Sequence, residues 1–124
     1  MKIVYAATPE ISISCLEKLF NSSHELSLIL TMPDKPSGRG KKLIPGPIKK
    51  YCIENSLPFI QPENLNNFDL ENKLKEIAPD LLVVFAYGKI IPTKIFELPT
   101  HGSINIHTSI LPSYRGAAPI QRAI

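Results

Sequence analysis

Asn105 and His107 alternate with the apolar Ile104 and Ile106, which is the period of a β-strand. The alternation predicts that both polar side chains project from one face. A neutral amide can donate to a carbonyl oxygen as negative charge develops on it, and an imidazole titrates near neutral pH and can move protons. Acyl or formyl transfer is the chemistry this pair suits. Pro112, Gly116 and Pro119 follow and cannot continue a strand, so a loop feeding a helix from about Pro119 is expected. The pair then lies at the carboxyl end of a strand, and open parallel sheets bind ligands outside those ends.

A second cluster of chemical interest is basic. The segment from Pro33 to Lys50 holds six Lys/Arg and one Asp, whereas the whole chain has a formal net charge of only +3. The positive charge is therefore local. Four prolines and three glycines among residues 33–47 predict a long loop there. It follows the second expected strand, which puts Arg39, Lys41 and Lys42 on the same side of the sheet as Asn105 and His107.

The string Asn105-Ile-His107-Thr-Ser109-Ile-Leu111-Pro112-Ser-Tyr114-Arg115-Gly116-Ala-Ala-Pro119 resembles the signature of the formyltransferases that use 10-formyltetrahydrofolate. Its variant Gly116-Ala-Ala-Pro-Ile-Gln121 is most similar to the methionyl-tRNA branch of that family, and the resemblance runs from Met1 to Ile124. The resemblance implies formyl transfer to the amino group of initiator methionyl-tRNA for translation initiation. Asn105 would hold the carbonyl oxygen, and His107 would stabilise charge and assist proton movement. It also implies a folate pocket lined by Phe85, Ala86, Tyr87, Gly88, Ile90 and Ile91 together with Ser109, Leu111 and Pro112. Arg39, Lys41 and Lys42 match the basic positions of a family loop that wedges against the tRNA acceptor arm.

Family members carry a catalytic aspartate, further strands and a carboxy-terminal tRNA-binding domain beyond the position matching residue 124. Residues 1–124 are accordingly expected to be the amino-terminal part of the catalytic domain, weakly active or inactive alone, and monomeric. The helix begun at Ala118 stops after about two turns without a capping residue, in keeping with that expectation. A sugar-nucleotide formyltransferase or a hydrolase of the formyl-folate would share the string without needing the basic loop. A non-catalytic remnant or tRNA-binding piece is the alternative from a different class.

The elements that must position these residues follow from pattern. Lys2–Ala6 is a strand, with Thr8 as a cap and Pro9 and Glu10 as the first turn of a helix bearing Ile11, Cys15, Leu16 and Leu19 on one face. Leu26–Thr31 is the second strand. A helix over Pro47–Asn55 precedes a short strand, Leu57–Gln61, which Pro58 confines to an edge. Leu70, Leu74 and Ile77 mark another helix, ended by Pro79. Asp80–Tyr87 is the most apolar stretch and is expected to be a central strand buried on both faces. The alternation predicts an α/β fold, an open, mostly parallel, Rossmann-like sheet of five strands in the order 3-2-1-4-5, with helices on both faces.

Other classes are disfavoured. No glycine occurs before Gly38, so the first βα turn, Ala6-Ala7-Thr8-Pro9, does not suit a dinucleotide. The family usually has glycine where this chain has Ala7. The length of 124 residues with 44% hydrophobic content suits one core. Cys15 and Cys52 have no metal spacing and are expected to be reduced and buried, with no metal bound. Neither a membrane span nor an export leader is apparent, so the expected compartment is the cytosol, or an organelle in a eukaryote.

Overall fold

The computed structural model describes residues 1–38, 40 and 42–107; Ser109, Leu111 and Pro112, and likewise Arg39 and Lys41, lie outside the described residues. The chain forms β1 (Lys2–Ala7), a 3-10 turn (Glu10–Ser12), α1 (Ile13–Phe20), β2 (Glu25–Leu30), β3 (Lys35–Ser37) and β4 (Lys42–Ile44). It continues through α2 (Pro47–Glu54), β5 (Phe59–Ile60), α3 (Phe68–Ile77), β6 (Leu81–Phe85), α4 (Thr93–Phe96) and β7 (Ser103–Ile106). Five strands make one parallel sheet in the order β5-β2-β1-β6-β7, as the alternation of elements predicts.

Successive residues of a strand face opposite ways, and β1 shows what that does here. Val4 and Ala6 join Leu28, Leu30, Leu82 and Val84 under Leu70 and Leu74 of α3 and Ile95 of α4. Ile3, Tyr5 and Ala7 join Ile29, Val83 and Phe85 under Leu16 of α1 and Ile48 and Cys52 of α2. A core on each face explains why β6 reads as an unbroken apolar run: Leu82, Val83, Val84 and Phe85 are all buried. Each such side chain contributes about 1.5–3 kcal/mol through the area it removes from water. β5 is an edge strand, and Pro58 uses only its carbonyl in pairing, as acceptor from Ile29 N at 3.0 Å.

Three local expectations are corrected. Thr8 does not cap α1; the chain passes through the 3-10 turn first, and Thr8 bonds elsewhere. The loop after β2 contains a two-stranded antiparallel hairpin, pairing Lys35 with Ile44 and Ser37 with Lys42. Gly38, at φ +75°, supplies the left-handed backbone that turns it, and Pro36 is tolerated because the ribbon is all edge. α3 ends ahead of Pro79 as expected, through Ala78 in the left-handed conformation, whose N–H reaches Leu74 O at 2.9 Å. α4 has no counterpart among the expected elements, because four residues are too few for a periodic pattern. Cys52 is buried as expected, while Cys15 is half-buried; both are free thiols.

Candidate functional site

β1 is the strand at which the order of the sheet turns back: α1 and α2 lead away from it to β2 and β5, and α3 returns the chain to β6 on its other side. Such a switch point is where an open sheet leaves a crevice. Here it is stitched. Thr8, just past β1, donates its hydroxyl to the carbonyl of Tyr87 at 2.5 Å and accepts the N–H of Met32 at 3.3 Å, joining the carboxyl ends of β1, β6 and β2.

Leaving β6, the chain inverts. Ala86 at φ 52° and Gly88 at φ 107° flank Tyr87, and the Tyr87 side chain turns back into the core, 2% exposed. Its hydroxyl has no hydrogen-bond partner among the described residues, and burial pushes its pKa up to about 12. A Cβ at Gly88 would stand 3.3 Å from Met32 Cγ, so the turn lies close against β2. A non-glycine residue at positive φ is strained, and strain of this kind concentrates at ligand sites.

The open cavity lies one strand over, between β6, β7 and α4. About 550 Å³ in volume, it is lined by Val84, Lys89, Ile90, Ile91, Thr93, Phe96, Glu97 and Asn105. Asn105 pairs in register with Val84, and paired residues of parallel strands share a face, so its amide is presented on the α4 side of the sheet. Volume and lining suit a planar ligand of moderate size: apolar walls from Val84, Ile90, Ile91 and Phe96, with a few polar groups to orient it. Ile90 is 92% exposed, an unusual state for isoleucine unless something covers it.

Of the residues singled out in the sequence, Asn105, Ile90 and Ile91 come together on this cavity. Phe85 and Tyr87 do not; both are core. Ala86 and Gly88 are exposed on the turn between them. His107 follows the end of β7, is exposed, and is not among the lining residues. Sequence reasoning placed Val84 only in the core and missed Lys89, Thr93, Phe96 and Glu97 as site residues altogether. Lys89 is adjacent to a recognisable turn, and its ammonium reaches Glu63 O at 2.6 Å; the other three depend on α4.

The basic hairpin stands apart from this cavity, with Lys35, Pro36, Lys42, Leu43 and Ile44 all exposed. Its base is anchored: Asp34 accepts from Lys49 Nζ at 2.8 Å and from Gln61 Nε2 at 2.7 Å. The Lys49 ammonium, and then the Gln61 amide, hold the Asp34 carboxyl below its ordinary pKa. Among the described residues no helix is long and apolar enough to cross a membrane, and no group of three His, Cys, Asp or Glu could hold a metal ion.

Comparison with known proteins bears on all of this chain. The sequence profile described as "Formyl transferase" matches residues 1–124. The methionyl-tRNA formyltransferases of Alkaliphilus oremlandii and Methylobacillus flagellatus are 48% and 49% identical over 124 residues, all of this chain and 40% of each relative. The chain thus spans about two fifths of the length of these relatives. A glycinamide ribonucleotide transformylase from Geobacillus kaustophilus superposes with a TM-score of 0.61 at 17% identity, covering 98% of this chain and 65% of that one. A formyltetrahydrofolate deformylase from Pseudomonas syringae gives 0.60 at 18% identity, covering 98% and 41%. At that identity the two structures bear on the fold alone.

Proposed function

Because the chain belongs to the formyl transferase family, we propose that it forms the folate-binding and formyl-transferring part of a methionyl-tRNA formyltransferase, the amino-terminal part of that enzyme's catalytic domain. The donor is 10-formyltetrahydrofolate, which supplies the formyl group; the acceptor is the amino group of initiator methionyl-tRNA. The reaction belongs in the compartment where translation begins.

One observation carries the reading: the Asn105 amide lies on the wall of a cavity whose other walls are Val84, Ile90, Ile91 and Phe96. A flat heterocycle fits between such apolar walls, with exposed Ile90 covered by it. The formyl oxygen then meets the Asn105 N–H groups, which hold negative charge as it develops while the amine attacks. Two residues on, His107 takes up the proton that the attacking nitrogen must lose and passes it to folate N10 as the bond from N10 to the formyl carbon breaks. Ser109, Leu111 and Pro112 complete the folate wall on this reading. Arg39, Lys41 and Lys42 meet the phosphates of the acceptor arm.

The test replaces the matching segment of the Alkaliphilus oremlandii enzyme with this chain and measures formyl transfer to initiator methionyl-tRNA. Asn105→Ala is expected to lower kcat by about 10²–10³, with binding of a folate analogue retained. Transfer within twofold of the parent chimaera would return Asn105 to a purely structural role.

A further inference from the structure

Asp34 is the last residue before the basic hairpin, Lys49 lies in the helix that follows it, and Gln61 follows edge strand β5. The three meet. Asp34 Oδ2 accepts from Lys49 at 2.8 Å, Asp34 Oδ1 from Gln61 at 2.7 Å, and the same Gln61 amide reaches Met32 O at 3.2 Å. The Asp34 and Lys49 side chains are only 17% and 24% exposed. Met32 in turn donates its N–H to Thr8, whose hydroxyl holds Tyr87 O. An unbroken series of hydrogen bonds therefore runs from the turn after β6 to the base of the hairpin.

The hairpin needs such an anchor. The side chains of Lys35, Pro36, Lys42, Leu43 and Ile44 are exposed, and a small cavity of about 150 Å³ lies under its base among Thr8, Thr31, Met32, Asp34 and Ile44. A two-stranded ribbon without a packed face is barely stable by itself. We propose that Asp34, clamped by Lys49 and Gln61, is a positioning residue that sets the orientation of the basic hairpin against the carboxyl edge of the sheet, and so the direction from which a polyanionic acceptor approaches. The second half of this statement rests on the acceptor being tRNA; the first half does not. The Lys49 charge is engaged by the clamp and is not offered to phosphate.

Two effects of Asp34→Asn on RNA binding have opposite signs, which makes the variant decisive. Removing a negative charge beside a basic hairpin strengthens attraction to phosphate. Losing the clamp frees the hairpin, which must then be ordered at each binding event. In the chimaera with the Alkaliphilus oremlandii enzyme, the clamp reading expects initiator tRNA to bind roughly three- to tenfold more weakly to Asp34→Asn despite the gained charge. It expects amide exchange over residues 35–44 to quicken by about tenfold, with unfolding of the sheet unchanged. Lys49→Met should repeat the exchange result, and Lys49→Arg, which keeps the ion pair, should not.

Unchanged exchange over the hairpin in both Asp34→Asn and Lys49→Met overturns the clamp. Tighter tRNA binding by Asp34→Asn overturns its role in acceptor approach. If the parent chimaera, this chain in place of the matching segment of the Alkaliphilus oremlandii enzyme, formylates no initiator tRNA and has no affinity for it while the variants quicken exchange as expected, the acceptor assignment fails and the clamp stands.

Discussion

The Thr8 hydroxyl donates to the main-chain carbonyl of Tyr87, joining two strands that are 79 residues apart in sequence at the switch point of the sheet. The same oxygen accepts from Met32 N, so one side chain at the end of β1 satisfies polar groups at the ends of both neighbouring strands. Thr8→Val keeps the shape and removes both bonds. It is expected to destabilise the fold by about 1 kcal/mol, the low end for unmet partners because both bonds are part-buried, while Thr8→Ser stays near the parent. Urea unfolding of the three proteins checks this; a shift in midpoint in Ser but not in Val would assign the effect to packing of the methyl group.

Replacing Arg39, Lys41 and Lys42 together by Ala should leave folding and folate-analogue binding unchanged, since it removes three cations from a Pro/Gly-rich segment and no apolar side chain. Binding of initiator tRNA should weaken. The slope of log K against log salt is expected to become shallower by roughly 0.7–0.9 for each phosphate that is no longer neutralised. Titrations at several salt concentrations read this directly, and coincident slopes would leave the hairpin without a part in recognition.

Two backbone positions predict changes of opposite sign. Ala78 caps α3 at φ 52° with its side chain exposed, a conformation that disfavours any Cβ. Ala78→Gly is expected to stabilise the protein by about 0.5–1 kcal/mol, after allowance for the freer unfolded chain. Gly88 holds φ 107° with Met32 Cγ against it, so Gly88→Ala should destabilise by about 1–3 kcal/mol and disturb the turn beside the cavity. Thermal unfolding of the two variants gives both signs in one experiment.

Asp34 links the hairpin to pH. Its pKa is depressed in the folded protein by the hydrogen bond from Lys49 and then by that from Gln61. A depressed carboxylate stabilises above its unfolded pKa, near 4, and that contribution is lost as pH falls through the lower folded value. Hairpin amide exchange, corrected for the intrinsic pH dependence, should therefore be flat from pH 7 to about 5 and rise below about 4. In Asp34→Asn the rise should be absent.

Burial pushes the Cys52 thiol up to about 11. At pH 8 only about one molecule in a thousand then carries the thiolate, and the side chain is inaccessible besides. Iodoacetamide should leave Cys52 unmodified in the native protein at pH 8 and modify it after unfolding, read by mass spectrometry of the peptide containing it. Native alkylation at the unfolded rate would show that α2 separates readily from the sheet.

The apolar runs of β1, β2 and β6 and the spacing of Leu70, Leu74 and Ile77 determined the parallel sheet and its two helical layers. Those are consequences of period and of burial on two faces, which are local properties of a chain. Asn105 was legible in the same way, because a polar residue alternating with isoleucines at a strand end can only be at a surface or a site. Tertiary structure alone decided the rest. That Phe85 and Tyr87 are core while Ile90 and Ile91 line the cavity depends on the inversion at Ala86 and Gly88, and nothing in Phe-Ala-Tyr-Gly states which side chain the turn sends inward. Thr8 looks like a helix cap from its neighbours Pro9 and Glu10, yet its partners are Met32 and Tyr87. The meeting of Asp34 with Lys49 and Gln61 is likewise invisible in sequence, because it exists only once β5 and α2 have been folded against β2; long-range partners are set by packing, which no local pattern encodes.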